Sequence, residues 1–438
     1  TTLNNNGYYD IFVAKLDSNG NWLWAKQAGG TDIDISYGIA VDSNGNSYIT
    51  GNFFSSSITF GSTQITNCHL GTNDIFVAKL NSYGNWLWAK QIGGIDFDSG
   101  NGIAVDSSNN IYITGGFSSA SISFGNITIT NTNSGETDIF VAKLDSYGNW
   151  VAATQAGGTD IDSSESIAVD SSGNSYITGS FFSNSITFGS ITLTNSGRDD
   201  IFVAKLDSNV TWSWANKAGG NGYDDATGIA IDTNGNGYVT GHFENSISFG
   251  SSILTSQGAE DIFIAKMNSS GVWLWQKTAG GQNSDKSMGI CVNSDGNSYI
   301  TGYFFSSNIS FGNTTLGNSN NENPDLFISK LDSSGNWQWA KQAEGRSTID
   351  VVDIVVDNNG NSYISGNFQS SKLTWGNSTL YNSGQSDIFV AKMSNNGVFL
   401  WAKQAGGQYG DTCFNMTIDG SGDIYLTGYF FGNITFGT

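Results

Sequence analysis

Apolar and polar positions alternate in short bursts along this chain, and each burst ends in a turn. In residues 38–51, GIAVDSNGNSYITG, two β-type segments flank Asp42, Ser43, Asn44, Gly45 and Asn46. There an aspartate can accept local backbone hydrogen bonds and a glycine can take positive φ. Residues 74–91, DIFVAKLNSYGNWLWAKQ, repeat the device around Asn81, Ser82, Tyr83, Gly84 and Asn85. The two hairpins predict one blade of four antiparallel strands, A to D from the axis outward. The link between B and C predicts a small extra hairpin of its own, in SITFGSTQIT from Ser57, SISFGNITIT from Ser121, SITFGSITLT from Ser185 and SISFGSSILT from Ser246.

The unit recurs at a near-constant interval. DIFVAK or a close variant starts at Asp10, Asp74, Asp138, Asp200, Asp261, Asp325 and Asp387, with spacings of 61 to 64 residues, and counting from Asp387 through the C-terminus and on from Thr1 to Asp10 gives the same interval. A repeat that closes across the ends describes a ring. The expected fold is all-β, a seven-bladed β-propeller over residues 1–438 as a single domain. Its blades have four strands plus the extra hairpin, and the last is closed by strands from both termini, about residues 1–29 and 408–438.

Strand A is small and apolar (Ile39, Ala40, Val41), as a crowded centre requires, and strand D carries the bulk. Twelve of the 13 tryptophans lie in D, from Trp22 and Trp24 to Trp401. Blades diverge with radius, so wide indoles are expected to fill the outer gaps, where truncating one would cost about 3–5 kcal/mol. Lys15, Lys79, Lys143, Lys205, Lys266, Lys330 and Lys392 share one position of strand C on an apolar face and are expected to form inter-blade ion pairs with repeated aspartates.

Composition agrees with many strands joined by glycine turns: 57 glycines, one proline and 13% aromatics. A formal charge of −21 disfavours nucleic acid and anionic lipid as partners. No apolar run reaches the about 20 residues of a membrane-spanning helix. Three cysteines imply no disulfide framework, with Cys291 expected as a buried thiol in strand A and Cys68 and Cys413 in loops. The chain starts at Thr1 without a basic or apolar leader, and is expected to be processed or part of something longer.

These motifs resemble the bacterial seven-bladed propeller repeat family known as SBBP, whose unit is similar to GIAVDSxGNxYxTG followed by DxFVxKLdxxGNxxWxxxxGG. The resemblance runs through essentially the whole chain. It departs at Val151-Ala152-Ala153, where the second tryptophan is missing, at Asn209-Val210-Thr211, which lacks the turn glycine, and at Ala343-Glu344-Gly345, which replaces the Gly-Gly pair. The resemblance implies an extracellular or cell-surface bacterial protein, often one module of a longer chain, and carries over no catalytic residue.

Candidate chemistry concentrates in the loops from D to A. Asp34, Asp98, Asp162, Asp224, Asp285 and Asp411 each stand four residues before strand A, with Asp350 shifted by one in the sixth blade, and Asp32, Asp96 and Asp160 add to them. They are expected to form a carboxylate ring at the channel mouth, the candidate site for a ligand or for calcium, which takes several oxygen ligands at once. The alternative is that each aspartate accepts N–H bonds from its own loop. Asp42 and its counterparts Asp106, Asp170, Asp232, Asp357 and Asp419 are read as turn formers, lacking the spacing of a calcium loop. His69 and His242 share no metal-ligand spacing, and no nucleophile or phosphate-binding signature is present. The sixth blade breaks the symmetry most visibly, at Glu322, Pro324, Glu344, Arg346 and Asp350.

The function expected from these residues is a non-enzymatic adhesion, binding or scaffold module, extracellular or on a bacterial surface. It would meet a protein or glycan partner, or other domains of its parent chain, through the loop-rich face and its aromatics (Phe53, Phe54, Phe181, Phe182, Tyr303, Phe304). The alternatives are a polysaccharide-active enzyme with paired carboxylates, and a structural subunit that exchanges its split hairpin between copies into a filament.

Overall fold

The computed structural model describes residues 1–318, 323–345 and 349–437. Its contacts sort into two compact units. The first takes residues 1–195, 203–216 and 414–438, and the second residues 196–202 and 217–413.

In the first unit the predicted hairpins pair as meanders. Asp34–Val41, Ser47–Phe53, Asp74–Leu80 and Trp86–Ile92 form one sheet in that order. Asp98–Val105, Ile111–Phe117, Asp138–Leu144 and Trp150–Gly157 form the next, and Asp34–Val41 packs against Asp98–Val105. The chain's two ends meet in a third sheet, where Asp10–Leu16 runs between Trp22–Ala28 and Ile424–Phe430. Thr2 and Leu3 pair with Thr435 and Ile434, and the Thr1 nitrogen donates to the Phe436 carbonyl at 2.9 Å. The split hairpin closes within this chain; Thr438, whose pairing with Thr1 would decide against a filament by exchange, lies outside the described residues.

The second unit repeats the plan in Asp285–Val292, Ser298–Phe304, Asp325–Leu331 and Trp337–Gly345, and again from Ile349–Val356 to Phe399–Gly406. Elsewhere in it the regular division into strands is lost. Gly237–Phe249 and Ser252–Met267 are single long strands that run through the B–C connection without a break.

The expectation of four-stranded blades, each with a small extra hairpin in its own B–C connection, is corrected here. Hydrogen bonding continues from a D strand into the following hairpin: Ala156 and Gly157 pair with Phe188 and Thr187, and Gly219 and Gly220 with Ser248 and Ile247. Backbone donors at the end of D would otherwise stay unpaired, so the hairpins are absorbed into sheets of unequal size.

The turns form as their residues dictate. Asp42 Oδ1 accepts the backbone N–H groups of Asn44 and Asn46 at 2.9 Å, its Oδ2 takes the Tyr48 hydroxyl at 3.0 Å, and Gly45 sits at φ 75°. The strand-C lysines do meet these turn aspartates, but within their own sheet: Lys205 lies 3.8 Å from Asp170 and Lys266 3.9 Å from Asp232. Inter-sheet bonds go instead to the turn of the next sheet, as Lys143 donates to the Ser208 carbonyl at 2.7 Å and Lys330 to Asn395 Oδ1. Each lysine of the set also caps a tyrosine ring, Lys79 Nζ standing 4.8 Å from the Tyr48 centroid. Cys413, expected in a loop, is buried in Asp411–Ile418.

The tryptophans divide into two jobs. The second of a pair reaches the next sheet, as Trp24 Nε1 donates to the Ser82 carbonyl at 3.1 Å. The first packs edge-on against a phenylalanine of the extra hairpin, Trp86 on Phe60 and Trp150 on Phe124, both with centroids 5.0 Å apart. In one copy the two rings trade places: Trp375 lies in the hairpin, Phe399 in strand D, and their centroids are 5.1 Å apart at 75°. Conserved summed volume explains the exchange, since Trp375 is fully buried. Trp375→Phe alone is expected to cost about 1–3 kcal/mol through the void it leaves, and Phe399→Trp added to it to recover most of that loss. Urea unfolding of the two single variants and the double variant measures the coupling, and additive losses would contradict it.

Candidate functional site

The aspartates expected at the channel mouth are buried, each beneath its own loop. Asp34 Oδ2 accepts the Gly30 N–H at 2.7 Å and the Ser55 hydroxyl at 2.9 Å, while Asp98 takes Gly94 N–H at 2.9 Å and Ser119 Oγ at 2.8 Å. Asp162 and Asp285 are held in the same way by Ser183 and Ser306. Asp411 is equally buried, and its N–H donates to the Ser386 carbonyl. Asp32 and Asp160 are the acids of these loops that face solvent.

Beside each of these carboxylates stands a second, the first residue of the DIFVAK strand. Asp10, Asp74, Asp138, Asp200, Asp261 and Asp387 are buried, and each leaves its Oδ1 without a hydrogen-bond partner. The Gly-Gly pair that ends the repeat explains how two acids fit. A Cβ on Gly93 would lie 2.1 Å from Asp74 Oδ1, and one on Gly94 2.5 Å from Ser119 Oγ. The first glycine thus makes the seat of one carboxylate, and the second admits the serine that binds the other.

Burial controls the charge of this pair. It pushes Asp10 up to about 6 and Asp34 up to about 7, with the neighbouring Asp10 charge adding to the rise at Asp34 and the Ser55 and Gly30 donors opposing it. Asp224 goes furthest, to about 8. Asn245 stands where the loops of Asp34, Asp98, Asp162 and Asp285 carry serine; Asp224 Oδ2 accepts the Gly220 N–H at 2.7 Å, and its Oδ1 is unpartnered. Asp199, Asp200 and Glu244 add to the rise.

Such carboxylates do not suit a shared calcium ion, because their oxygens are directed into their own loops and away from solvent. Among the described residues, no three His, Cys, Asp or Glu side chains are grouped to hold a metal. Nor can a sugar reach the buried pairs, which is what glycoside chemistry by two carboxylates requires.

Two groupings escaped the repeat-based reading. In the second unit His242 Nε2 lies 3.9 Å from Asp225 and 3.8 Å from Glu260, which also meets Lys286 at 2.8 Å and accepts the Ser284 hydroxyl. Burial holds this imidazole below its ordinary value. In the first unit six aromatic rings run in contact. Tyr8 is 4.8 Å from Tyr9, Tyr9 4.5 Å from Tyr429, Tyr429 5.7 Å from Phe414 and Phe414 5.0 Å from Tyr37, with Phe431 5.4 Å from Tyr8. Both groupings sit at a position where the copies differ: Asn52, Gly116, Ser180, His242, Tyr303 and Tyr429 are among the residues that occupy it. Of the asymmetric sixth copy, Glu322 and Arg346 lie outside the described residues, as do the side chains of Glu344 and Asp350.

A family model described as a β-propeller repeat, SBBP, matches residues 23–52, 87–115, 153–180, 338–367 and 400–429. The chain carries the SBBP repeat. Each match runs from strand D through A into B and so contains the Gly-Gly seat or its equivalent. The fold is an all-β propeller, and the expected count of seven blades is corrected to the five that carry SBBP matches. Residues 181–337 are unmatched, and there Val210, at φ 63°, replaces the turn glycine and the two long strands replace the divided ones.

An uncharacterized WD repeat-containing protein of Acanthamoeba polyphaga mimivirus is 26% identical over 89% of this chain. This chain spans only 34% of that protein's length. Among solved structures, the Pan2 WD40 domain of Neurospora crassa is 9% identical, with 90% of this chain and 88% of that one aligned and a TM-score of 0.44. A PL25 ulvan lyase is 12% identical over 82% of this chain and 80% of its own, also at 0.44. At that distance neither carries an argument about activity.

Two outcomes follow from the buried pairs. Gly157→Ala places a Cβ 1.9 Å from Asp138 Oδ1 and is expected to destabilise the fold by about 2–4 kcal/mol, whereas Gly420→Ala, with nothing within 4 Å, is expected to be near neutral in the same urea titration. Because the folded chain holds a proton on Asp224 that the unfolded chain releases near the ordinary 3.8, this residue's contribution is full below about pH 4 and is lost as pH rises to about 8. Asp224→Asn is therefore expected to raise the melting temperature at pH 9 by several degrees and to change it little near pH 4; an equal effect at both values would contradict the assignment.

Proposed function

We propose that this propeller is a non-enzymatic binding scaffold, displayed outside a bacterial cell or on its surface as part of a longer protein, and that it takes a protein partner on the loop-bearing end of its first unit. The observation that carries this reading is exposed apolar side chains, in two groups on successive loops, set among carboxylates. Ile95 and Phe97 are 64% and 54% exposed, Ile161 and Phe182 46% and 40%. Phe54 joins the first group, its ring 6.3 Å from that of Phe97. Asp32 and Asp160 are exposed beside them, and Asp96 is half-buried.

Large apolar side chains cost free energy when left in water, and in contiguous patches they mark contact surfaces. The carboxylates select a partner of basic and apolar character, and the chain's overall charge of −21 steers such a partner toward it. The neighbouring phenylalanines have a different role: Phe53, Phe181 and Phe304 are fully buried and pin the loops from below.

An array of basic amphipathic peptides tests this function. The wild type is expected to bind a subset with affinity that falls as salt rises, and Phe97→Ser with Phe182→Ser to weaken binding by about tenfold or more. Binding that ignores both substitutions would refute the surface, and no binding to any basic peptide would refute the partner class.

A further inference from the structure

We infer that the aromatic track of the first unit is a subsite for a neutral saccharide chain. Tyr8, Tyr9, Phe431, Tyr429, Phe414 and Tyr37 form an unbroken series of ring contacts. Tyr8 is 54% exposed and the other five are half-buried, so each ring keeps part of its surface open to solvent. Rings that served only the core would be covered, as Tyr48, Tyr112 and Tyr425 are, with no exposure at all.

The chemistry along the track is mixed in the way a sugar requires. A pyranose has one face of C–H bonds and a rim of hydroxyls. Open aromatic faces accept the first, and groups at the ring edges must bond the second. Four of the six rings carry their own hydroxyl. Asn52 hydrogen-bonds the Tyr37 hydroxyl, and Glu165, exposed to solvent, lies close enough to act on it electrostatically. Asn5 sits at the Tyr8 end, its amide bonded to the Gly7 and Tyr8 carbonyls. A net charge of −21 and the nearby carboxylate disfavour uronic or sulfated chains, which leaves a neutral saccharide.

The track also breaks the repeat. At the place of Tyr429 other copies have Asn52, Gly116, Ser180 and His242, with tyrosine again only as Tyr303 among the described residues, and at the place shared by Phe414 and Tyr37 they have Asn101, Glu165 and Thr227. Six rings converging at one junction are therefore not a requirement of the fold, since the same strands form without them. None of the six belongs to the apolar groups proposed for the protein partner, so the two surfaces stand or fall separately.

The test titrates the full chain with cellohexaose, xylohexaose, maltohexaose and chitohexaose by calorimetry, with an alginate hexamer as the anionic control. At least one neutral hexamer is expected to bind and the alginate not. Tyr429→Asn and Phe414→Asn install side chains that sibling copies already hold at those positions and are expected to keep the melting temperature while weakening binding about tenfold each. Tyr8→Ala, at an exposed site, is expected to shorten the site and weaken the hexamer more than the corresponding trimer. Failure of all four neutral hexamers to bind, affinity unchanged in the three variants, or occupation of the track by a basic peptide in place of a sugar would each overturn the inference.

Discussion

A carboxylate buried on a glycine is the contact around which each repeat is organised. Asp10, Asp74, Asp138 and their counterparts press against a Cα that carries no side chain, and a second aspartate beside each one gathers the loop that leads into strand A. Burying a charge without a counter-charge is costly, and the structure lowers that cost in two ways. Serine hydroxyls and backbone N–H groups bond the second carboxylate, and the proton affinity of both acids rises until one can be held neutral. The arrangement orders the loops, and those loops bear the apolar groups from Phe54 to Phe182.

Other features elaborate the same unit. Tyrosines of strand B carry a turn aspartate on one side and a lysine over the ring on the other, as Tyr48 does with Asp42 and Lys79. Tryptophans close the outer edge, one bonded to a neighbouring turn and one packed on the hairpin. Where a ring changes, its partner changes with it, as Trp375 and Phe399 demonstrate. A close-packed junction tolerates an exchange of volume more readily than a loss of it. Positions where the copies differ, such as those of Tyr429, Phe414 and His242, are where binding chemistry can be looked for.

Much of the fold was legible because the repeat states each strand many times over. The turns at Asp42 and Asn81, the hairpin at Ser57 and the meeting of the chain ends all lie in local pattern and spacing. The blade count was overread, since the spacing of DIFVAK treats every copy as equal while residues 181–337 merge their strands and depart from the family repeat. The lysine partners were half legible: aspartates were expected, but their place within the same sheet depends on how far a turn folds back over strand C.

The candidate acids mark the division most clearly. That Asp34 and Asp98 recur at the entry to strand A is written in the sequence, and so is the Gly-Gly pair ahead of each. Whether such an aspartate faces solvent or the interior is not, because a carboxylate has the same one-letter code in both settings. Only the packed sheets bring Asp10 against Gly29 and Ser55 over Asp34, and it is this contact between distant segments that removes water from the acids. By itself the sequence determined strands, turns and their order, which depend on neighbours along the chain. The tertiary structure decided which acids are buried and which rings stand open, because burial is a property of what approaches from elsewhere in the fold.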